Sequence, residues 1–277
     1  MEAQALNGRV AGGGTAIVAP LALELRPLVR RLGARRVGSL PFGGLYAADA
    51  GGRRLALAVA GDGPRRFSAG LAALRERSDP RRILLLGVAG GLSPELSVGD
   101  LVRIGRVVEV PAEEGLSGAG AGAWALPVAG RAAQSGAAGL ATAVSVGRIV
   151  GSRRDKEALW RRVGEPSPAV VDLESGAFAR CWAGLTTVAG SPEADLPAAD
   201  PPEWAILRAV SDALSDDLPL DFAAASDEGG HVVAARLARQ LAMRPEALGP
   251  LRELRRRVAR CAERLADAAI GWVEGGG

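Results

Sequence analysis

The 277-residue chain holds one lysine, one histidine and two cysteines, and aromatic residues make up only 4% of it. Cys181 and Cys261 stand far apart and His231 is alone, so no zinc cluster, disulfide scaffold or Cys/His catalytic pair can be assembled. The two cysteines read as small buried hydrophobes and His231 as a residue on a helix face without catalytic work. Few aromatics mean few stacking platforms, and a net charge of +3 with both signs interspersed gives too weak a field to argue for a nucleic-acid partner. All but one of the 34 Lys and Arg residues are arginine, a skew that points to coding bias rather than to a partner. No apolar run reaches the ~18 residues of a membrane span; the best, residues 83–92, contains three glycines. Residues 1–14 lack the charged-then-apolar order of a secretion signal. Neither a Gly-Lys-Ser/Thr phosphate loop nor a dinucleotide fingerprint occurs, so a cytoplasmic protein without metal or cofactor is expected.

What is there is apolar: 48% of residues are hydrophobic, enough for a substantial core built from Ala, Val, Leu and Ile. A flexible start at 1–14 and a single domain over 15–273 are expected. Apolar runs at 15–19, 55–60, 83–86, 101–110, 143–150, 169–171 and 204–210 read as strands. Helical spacing recurs at 21–32, 67–75, 155–163, 176–182, 228–243 and 251–273. Runs bounded by glycine and alternating with helices predict an α/β fold, a three-layer α/β/α sandwich around a mixed, largely parallel central sheet. Residues 113–122 read as a surface loop and the proline-rich 184–203 as an inserted one. The last helix sets six arginines opposite Leu254, Val258, Cys261 and Leu265; this reads as a solvated outer face, with peripheral contact to an anionic membrane as the alternative.

Acids at strand ends carry the first chemical hint. In an α/β sheet such positions face the crevice where ligands bind. Glu24, Glu174 and Asp212 stand there, although Glu24 lies one helical turn past its strand. The run Gly87-Val88-Ala89-Gly90-Gly91 after a strand could cradle a phosphate or let a sugar approach the backbone.

Leu86-Gly87-Val88-Ala89-Gly90-Gly91-Leu92 followed by Val98-Gly99-Asp100-Leu101-Val102 resembles the "G-x-A-G-G-L … G-D-x-V" signature of the nucleoside phosphorylase and nucleosidase superfamily. Val171-Asp172-Leu173-Glu174-Ser175 looks like its ribose-binding motif, and Leu207-Arg208-Ala209-Val210-Ser211-Asp212 like its base-binding motif. The opening Ala16-Ile17-Val18-Ala19-Pro20-Leu21-Ala22-Leu23-Glu24 fits its first strand and loop. The resemblance spans about residues 15–270, and the C-terminal pattern looks most like the hopanoid-associated branch. Three departures stand out: Leu173 replaces the usual methionine, 184–203 lengthens a short link, and Gly176-Ala177 departs from the common continuation; in the base pocket, Ile149 occupies the place of an aromatic ring in adenine-specific relatives.

The resemblance implies cleavage of a purine nucleoside, adenine first among bases. Asp212 would deliver a proton to the leaving base, Ser211 orienting it, and Glu174 would hold the ribose hydroxyls. Leu173, Ile149, Val88, Ala89 and Gly90 would lie against ribose and base, with Arg208 a structural partner of a carboxylate. Phosphate-using relatives carry an arginine and a serine or threonine where this chain has Leu85 and Val88. Glu24 fits the water-activating glutamate of the hydrolytic relatives, and a carboxylate there would repel phosphate. Hydrolysis is therefore expected; phosphorolysis through an anion site at Arg65 and Arg66, or nucleoside binding without turnover, are the alternatives. The 5′ group stays open among methylthio, homocysteinyl and a hopanoid chain. Relatives are dimers or hexamers, so a homo-oligomer, a dimer first, is implied.

Overall fold

A computed structural model of the chain describes residues 14–110, 122–125, 140–183 and 203–275. The expected N-terminal segment 1–13, most of the loop at 113–122 and the insertion up to residue 202 lie outside the described residues. The elements run β1 (Thr15–Ala19), α1 (Ala22–Arg31), β2 (Arg35–Leu40), β3 (Gly43–Ala50), β4 (Arg53–Val59), α2 (Pro64–Ser78), β5 (Arg82–Gly91) and β6 (Leu101–Val110). They continue with β7 (Gly122–Ala125), β8 (Leu140–Val146), α3 (Arg153–Arg162), β9 (Ala169–Asp172), α4 (Ser175–Ala183) and β10 (Glu203–Asp212). Short α5 (Phe222–Ala225), α6 (Ala234–Met243) and the long α7 (Leu248–Glu274) complete the fold.

The strands form one mixed sheet in the order β10-β6-β8-β9-β5-β1-β4-β3-β2, with β7 on β6. Strand β10 also pairs with β5, so β5, β10, β6, β8 and β9 close into a ring from which β1, β4, β3 and β2 extend. Alternation of side chains along each strand divides the core. Ala16 and Val18 of β1 pack with Phe67, Leu71 and Leu74 of α2 and Phe178 and Trp182 of α4. Ile17 and Ala19 pack on the other face with Leu25 and Leu28 of α1 and Leu265, Ala269 and Trp272 of α7. Leu159 of α3 belongs to a third cluster with Leu92, Val144 and Val171. Helices thus cover both faces, and the architecture is the three-layer α/β/α sandwich.

Several boundaries differ from the sequence reading. The β2–β3 hairpin was not foreseen, because β2 (RRVGSL) is largely exposed and has no apolar run. Strand β5 does not stop at Gly87 but continues to Gly91, where Gly90 and Gly91 pair with Val171 and Val170. Strand β10 likewise passes through Ser211 and Asp212, with a register shift between Val210 and Asp212. Strand β8 ends at Val146, four residues early. The stretch 226–233 is a loop with a Ser226–Val232 bridge, and α6 starts only at Ala234. Helix α7 begins at Leu248 and takes Pro250 into its first turn, where a missing N–H breaks no intrahelical bond. On its outer face Arg257 and Arg260 engage Glu253 and Asp216, so the arginine face is interrupted by acids. Among the described residues no helix is long and apolar enough to cross a membrane.

Candidate active site

Strands β5 and β10 lie parallel, with Arg208 beside Gly87 and Asp212 beside Gly90. The glycines leave room for these side chains: a Cβ on Gly87 would sit 2.3 Å from Arg208 Nη1, so that something must shift, and one on Gly90 would make a tight 3.1 Å contact with Asp212 Oδ2. Arg208 is wholly buried and donates from Nη2 to Asp172 Oδ2 at 2.8 Å and to Ser175 Oγ at 3.1 Å. It thereby ties the end of β9 to β10, with Glu174 Oε2 a further 4.0 Å from the same nitrogen.

Glu24 sits in the first turn of α1, folded back so that Oε2 accepts from the Leu21 N–H at 2.9 Å. Its other oxygen, Oε1, accepts from the Val88 N–H of the glycine-rich stretch at 2.8 Å. Burial holds the Glu24 carboxyl above its ordinary value, while these two N–H groups and Arg208 pull the other way. Glu174 follows β9 and accepts at Oε1 from the Gly63 N–H at 2.9 Å. Gly63 has φ +77° and immediately precedes α2, and a Cβ on it would lie 2.5 Å from Gly229 O. Burial pushes the Glu174 carboxyl up to about 8, with Arg208 opposing and Asp172 and Glu24 adding to the rise.

Asp212 ends β10. Ser211 Oγ lies 2.6 Å from Asp212 Oδ1 and 3.3 Å from Ala89 O, two acceptors for one hydroxyl proton. Two arrangements satisfy that geometry: Ser211 donates to a carboxylate, or a protonated Oδ1 donates to Ser211, whose own proton turns to Ala89 O. The second oxygen, Oδ2, is 2.5 Å from Nζ of Lys156.

Glu24, Val88, Ala89, Gly90, Ile149, Leu173, Glu174, Ser211 and Asp212 all line one cavity of about 220 Å³. Val146, Val150, Val171, Leu218 and Phe222 supply apolar wall, and Leu254 and Val258 of α7 reach it from below. Arg208 is behind this lining rather than in it. Leu85 points to the opposite face, into the core beneath α2 and α4. Arg65 and Arg66 lie elsewhere, with Arg148, Arg236, Asp227 and Glu228 around a separate cavity of about 640 Å³. Arg66 stands 3.7 Å from Asp227 and over the Phe42 ring.

Two site features escaped the sequence reading. His231 is not on a helix face: it follows Gly229-Gly230 in the loop before α6, and its Nδ1 is 2.7 Å from Oδ1 of Asp62, which lines the cavity. The turn sequence Gly61-Asp62-Gly63 gave no sign of this long-range partner. Lys156, the single lysine and in the sequence only part of an arginine skew, is wholly buried. Its being the only lysine in an arginine-rich chain was the available signal.

Buried acids around an apolar cleft at the strand ends are the hallmark of a ligand site in an α/β sheet. The family model of the phosphorylase superfamily matches residues 15–241, and the chain belongs to that superfamily. Solved structures sharing the fold include the 5′-methylthioadenosine/S-adenosylhomocysteine nucleosidase of Neisseria meningitidis, at 19% identity and TM-score 0.65 over 94% of this chain and 98% of that one. The corresponding nucleosidase of Campylobacter jejuni gives 16% and 0.66 over 95% and 99%. The futalosine hydrolase of Helicobacter pylori gives 14% and 0.65 over 95% and 97%. At such identities the likeness establishes the fold. No curated protein matches the chain in sequence.

Proposed function

We propose that the protein hydrolyses the N-glycosidic bond of a purine nucleoside and releases the free base, adenine first among candidates. The observation that carries this reading is the convergence of Glu24, Glu174 and Asp212 on one apolar-walled cavity. Cleavage passes through a sugar cation and needs three things: a proton for the departing base, negative charge beside C1′ and an attacking oxygen. Asp212, oriented by Ser211, gives the base its proton at the imidazole nitrogen. Glu174 accepts hydrogen bonds from the ribose hydroxyls and, once ionised, offsets the cation. Glu24 takes a proton from the attacking water, a role suited to a carboxyl held above its ordinary value. Leu173, Val88, Ala89 and Gly90 lie against the sugar and Ile149 against the base, while Arg208 holds Asp172.

Water is favoured over phosphate by the use made of the glycine-rich stretch. The Val88 N–H, which an anion would otherwise seek, is already spent on Glu24, and Leu85 is buried on the far face. The arginines at 65 and 66 border a second cavity that shares no lining residue with the first, and Arg66 already stands 3.7 Å from Asp227. The nucleosidases and futalosine hydrolase of the same fold are hydrolytic by name, in line with this reading. The likeness to the hopanoid-associated branch and a homodimer complete the proposal, the first bearing on the 5′ group.

The test is base release from adenosine, 5′-methylthioadenosine and inosine by purified protein, with and without phosphate. Release in phosphate-free buffer is the expected outcome. Strict dependence on phosphate would make the protein a phosphorylase, and binding without release, unaffected by Asp212→Asn, would make it a nucleoside-binding protein.

A further inference from the structure

Lys156 reaches from α3 beneath the end of β10, and its ammonium has three donors for three acceptors. Besides Asp212 Oδ2 at 2.5 Å, Nζ meets Ala213 O at 2.8 Å and Asp216 O at 3.0 Å. The side chain is wholly buried, so none of these bonds is shared with bulk solvent, and Lys156 itself does not line the nucleoside cavity. A buried ammonium is costly to desolvate, and a fold keeps one only where its partners are matched to it. Here they are matched to one oxygen, Oδ2, of the residue assigned to proton delivery.

We propose that Lys156 is a positioning residue for proton delivery by Asp212, an inference that rests on the nucleosidase reading above. By occupying Oδ2 it leaves Oδ1 as the oxygen that carries the transferable proton, and Ser211 Oγ accommodates Oδ1 with or without it. When the C1′–N bond breaks, its electron pair stays with the base and the Oδ1 proton moves to the imidazole nitrogen. Water then bonds to C1′ and gives a proton to Glu24. Asp212 is left a carboxylate, and the ammonium 2.5 Å away faces the negative charge that develops there. A preorganised donor aimed at developing charge stabilises the transition state more than the ground state. Lys156 therefore acts on kcat through Asp212 and not on substrate binding.

The experiment compares wild type, Lys156→Met, Asp212→Asn and the double variant on adenosine and on 4-nitrophenyl β-D-ribofuranoside, whose leaving group departs without a proton. For adenosine, Lys156→Met is expected to lower kcat by about 10²–10³-fold with KM within about 3-fold. The nitrophenyl riboside should lose less than about 10-fold, because the step that Lys156 supports is absent. In the Asp212→Asn background the lysine substitution should add no further loss. Equal losses on both leaving groups, or a full additional loss in the double variant, would overturn the proposal. Removing one half of a buried pair can unfold a protein; should Lys156→Met do so, Asp212→Asn against the double variant, in which both charges are gone, decides alone. A wild type that releases base from no nucleoside would overturn the nucleosidase reading itself, whereas an active wild type with an unaffected Lys156→Met overturns only the role given to the lysine.

Discussion

Glu174 is buried beside Arg208, and the neighbouring Asp172 and Glu24 raise its carboxyl further, to about 8 against an ordinary 4.5. Between those values the folded protein keeps a proton that the unfolded chain has released. The stability this group contributes is complete below about 4.5 and is lost as pH rises through about 8. Urea midpoints should therefore fall across that interval, and Glu174→Gln, which cannot titrate, should flatten the fall. Catalysis should run the opposite way: the ionised form offsets the sugar cation, so kcat/KM for adenosine, which reports the free enzyme, should climb up to about 8. A kcat/KM for 4-nitrophenyl β-D-ribofuranoside, which needs no proton from Asp212, that declines over this range would remove Glu174 from that role. Glu24 offers a second contrast. Its two oxygens each accept from a backbone N–H, and a glutamine there accepts one and confronts the other with its NH₂. Glu24→Gln should cost about 1–3 kcal/mol of stability and lower kcat by about 10²–10⁴-fold, read by thermal unfolding and by adenine release.

At the scale of elements, the site depends on how closely β5 and β10 approach. The 2.3 Å between a Cβ at Gly87 and Arg208 Nη1, and 3.1 Å to Glu24 Oε1, mean that Gly87→Ala must displace the guanidinium and press on the carboxylate. Overpacking of this kind costs about 1–3 kcal/mol, and a shift of about 1 Å at such a site costs on the order of 10²-fold in rate. Gly105, whose Cβ would meet only the exposed Leu140 side chain at 3.1 Å, makes a useful control: its alanine variant should keep full activity in the same assay. The same stretch shows what a sequence can and cannot reveal. The apolar runs of β1, β4, β5, β6 and β10 and the spacing of α1, α2 and α7 follow from local periodicity, and they were legible. The continuation of β5 through its glycines was not, because glycine there answers to Arg208 and Asp212 more than a hundred residues away. The acids of the cavity could be read from motifs at strand ends. The partners of Lys156 and of His231 could not, since the two partnerships arise only when α3 meets the end of β10 and when the loop before α6 meets the N-terminus of α2.

The whole molecule is fastened by α7, which lies along α1, β5 and β10 and sends Leu254 and Val258 to the cavity from one end of its length. Its other end carries Trp272, nearly buried in the same cluster as Leu25, Leu28 and Leu57, with the Arg82 guanidinium 4.4 Å from its ring. Between α1 and α7 run the ion pairs of Arg30 and Arg31 with Glu263, at 2.8 and 2.6 Å. Distances alone would make these pairs the fastening. Exposure decides otherwise: Arg30 is 65% and Glu263 39% exposed, and charges so placed are solvated nearly as well apart as together. Trp272→Ala should cost about 3–5 kcal/mol, a drop on the order of 10 °C in Tm for a chain of this size, while Glu263→Ala should move Tm by less than about 2 °C. High salt should reduce the small effect of Glu263→Ala and leave that of Trp272→Ala unchanged, because apolar burial is not screened. At temperatures where both variants are folded, KM for the nucleoside should match wild type, since neither side chain lines the cavity. A Tm ordering reversed between the two would mean that α7 is held by charge and not by its apolar stripe.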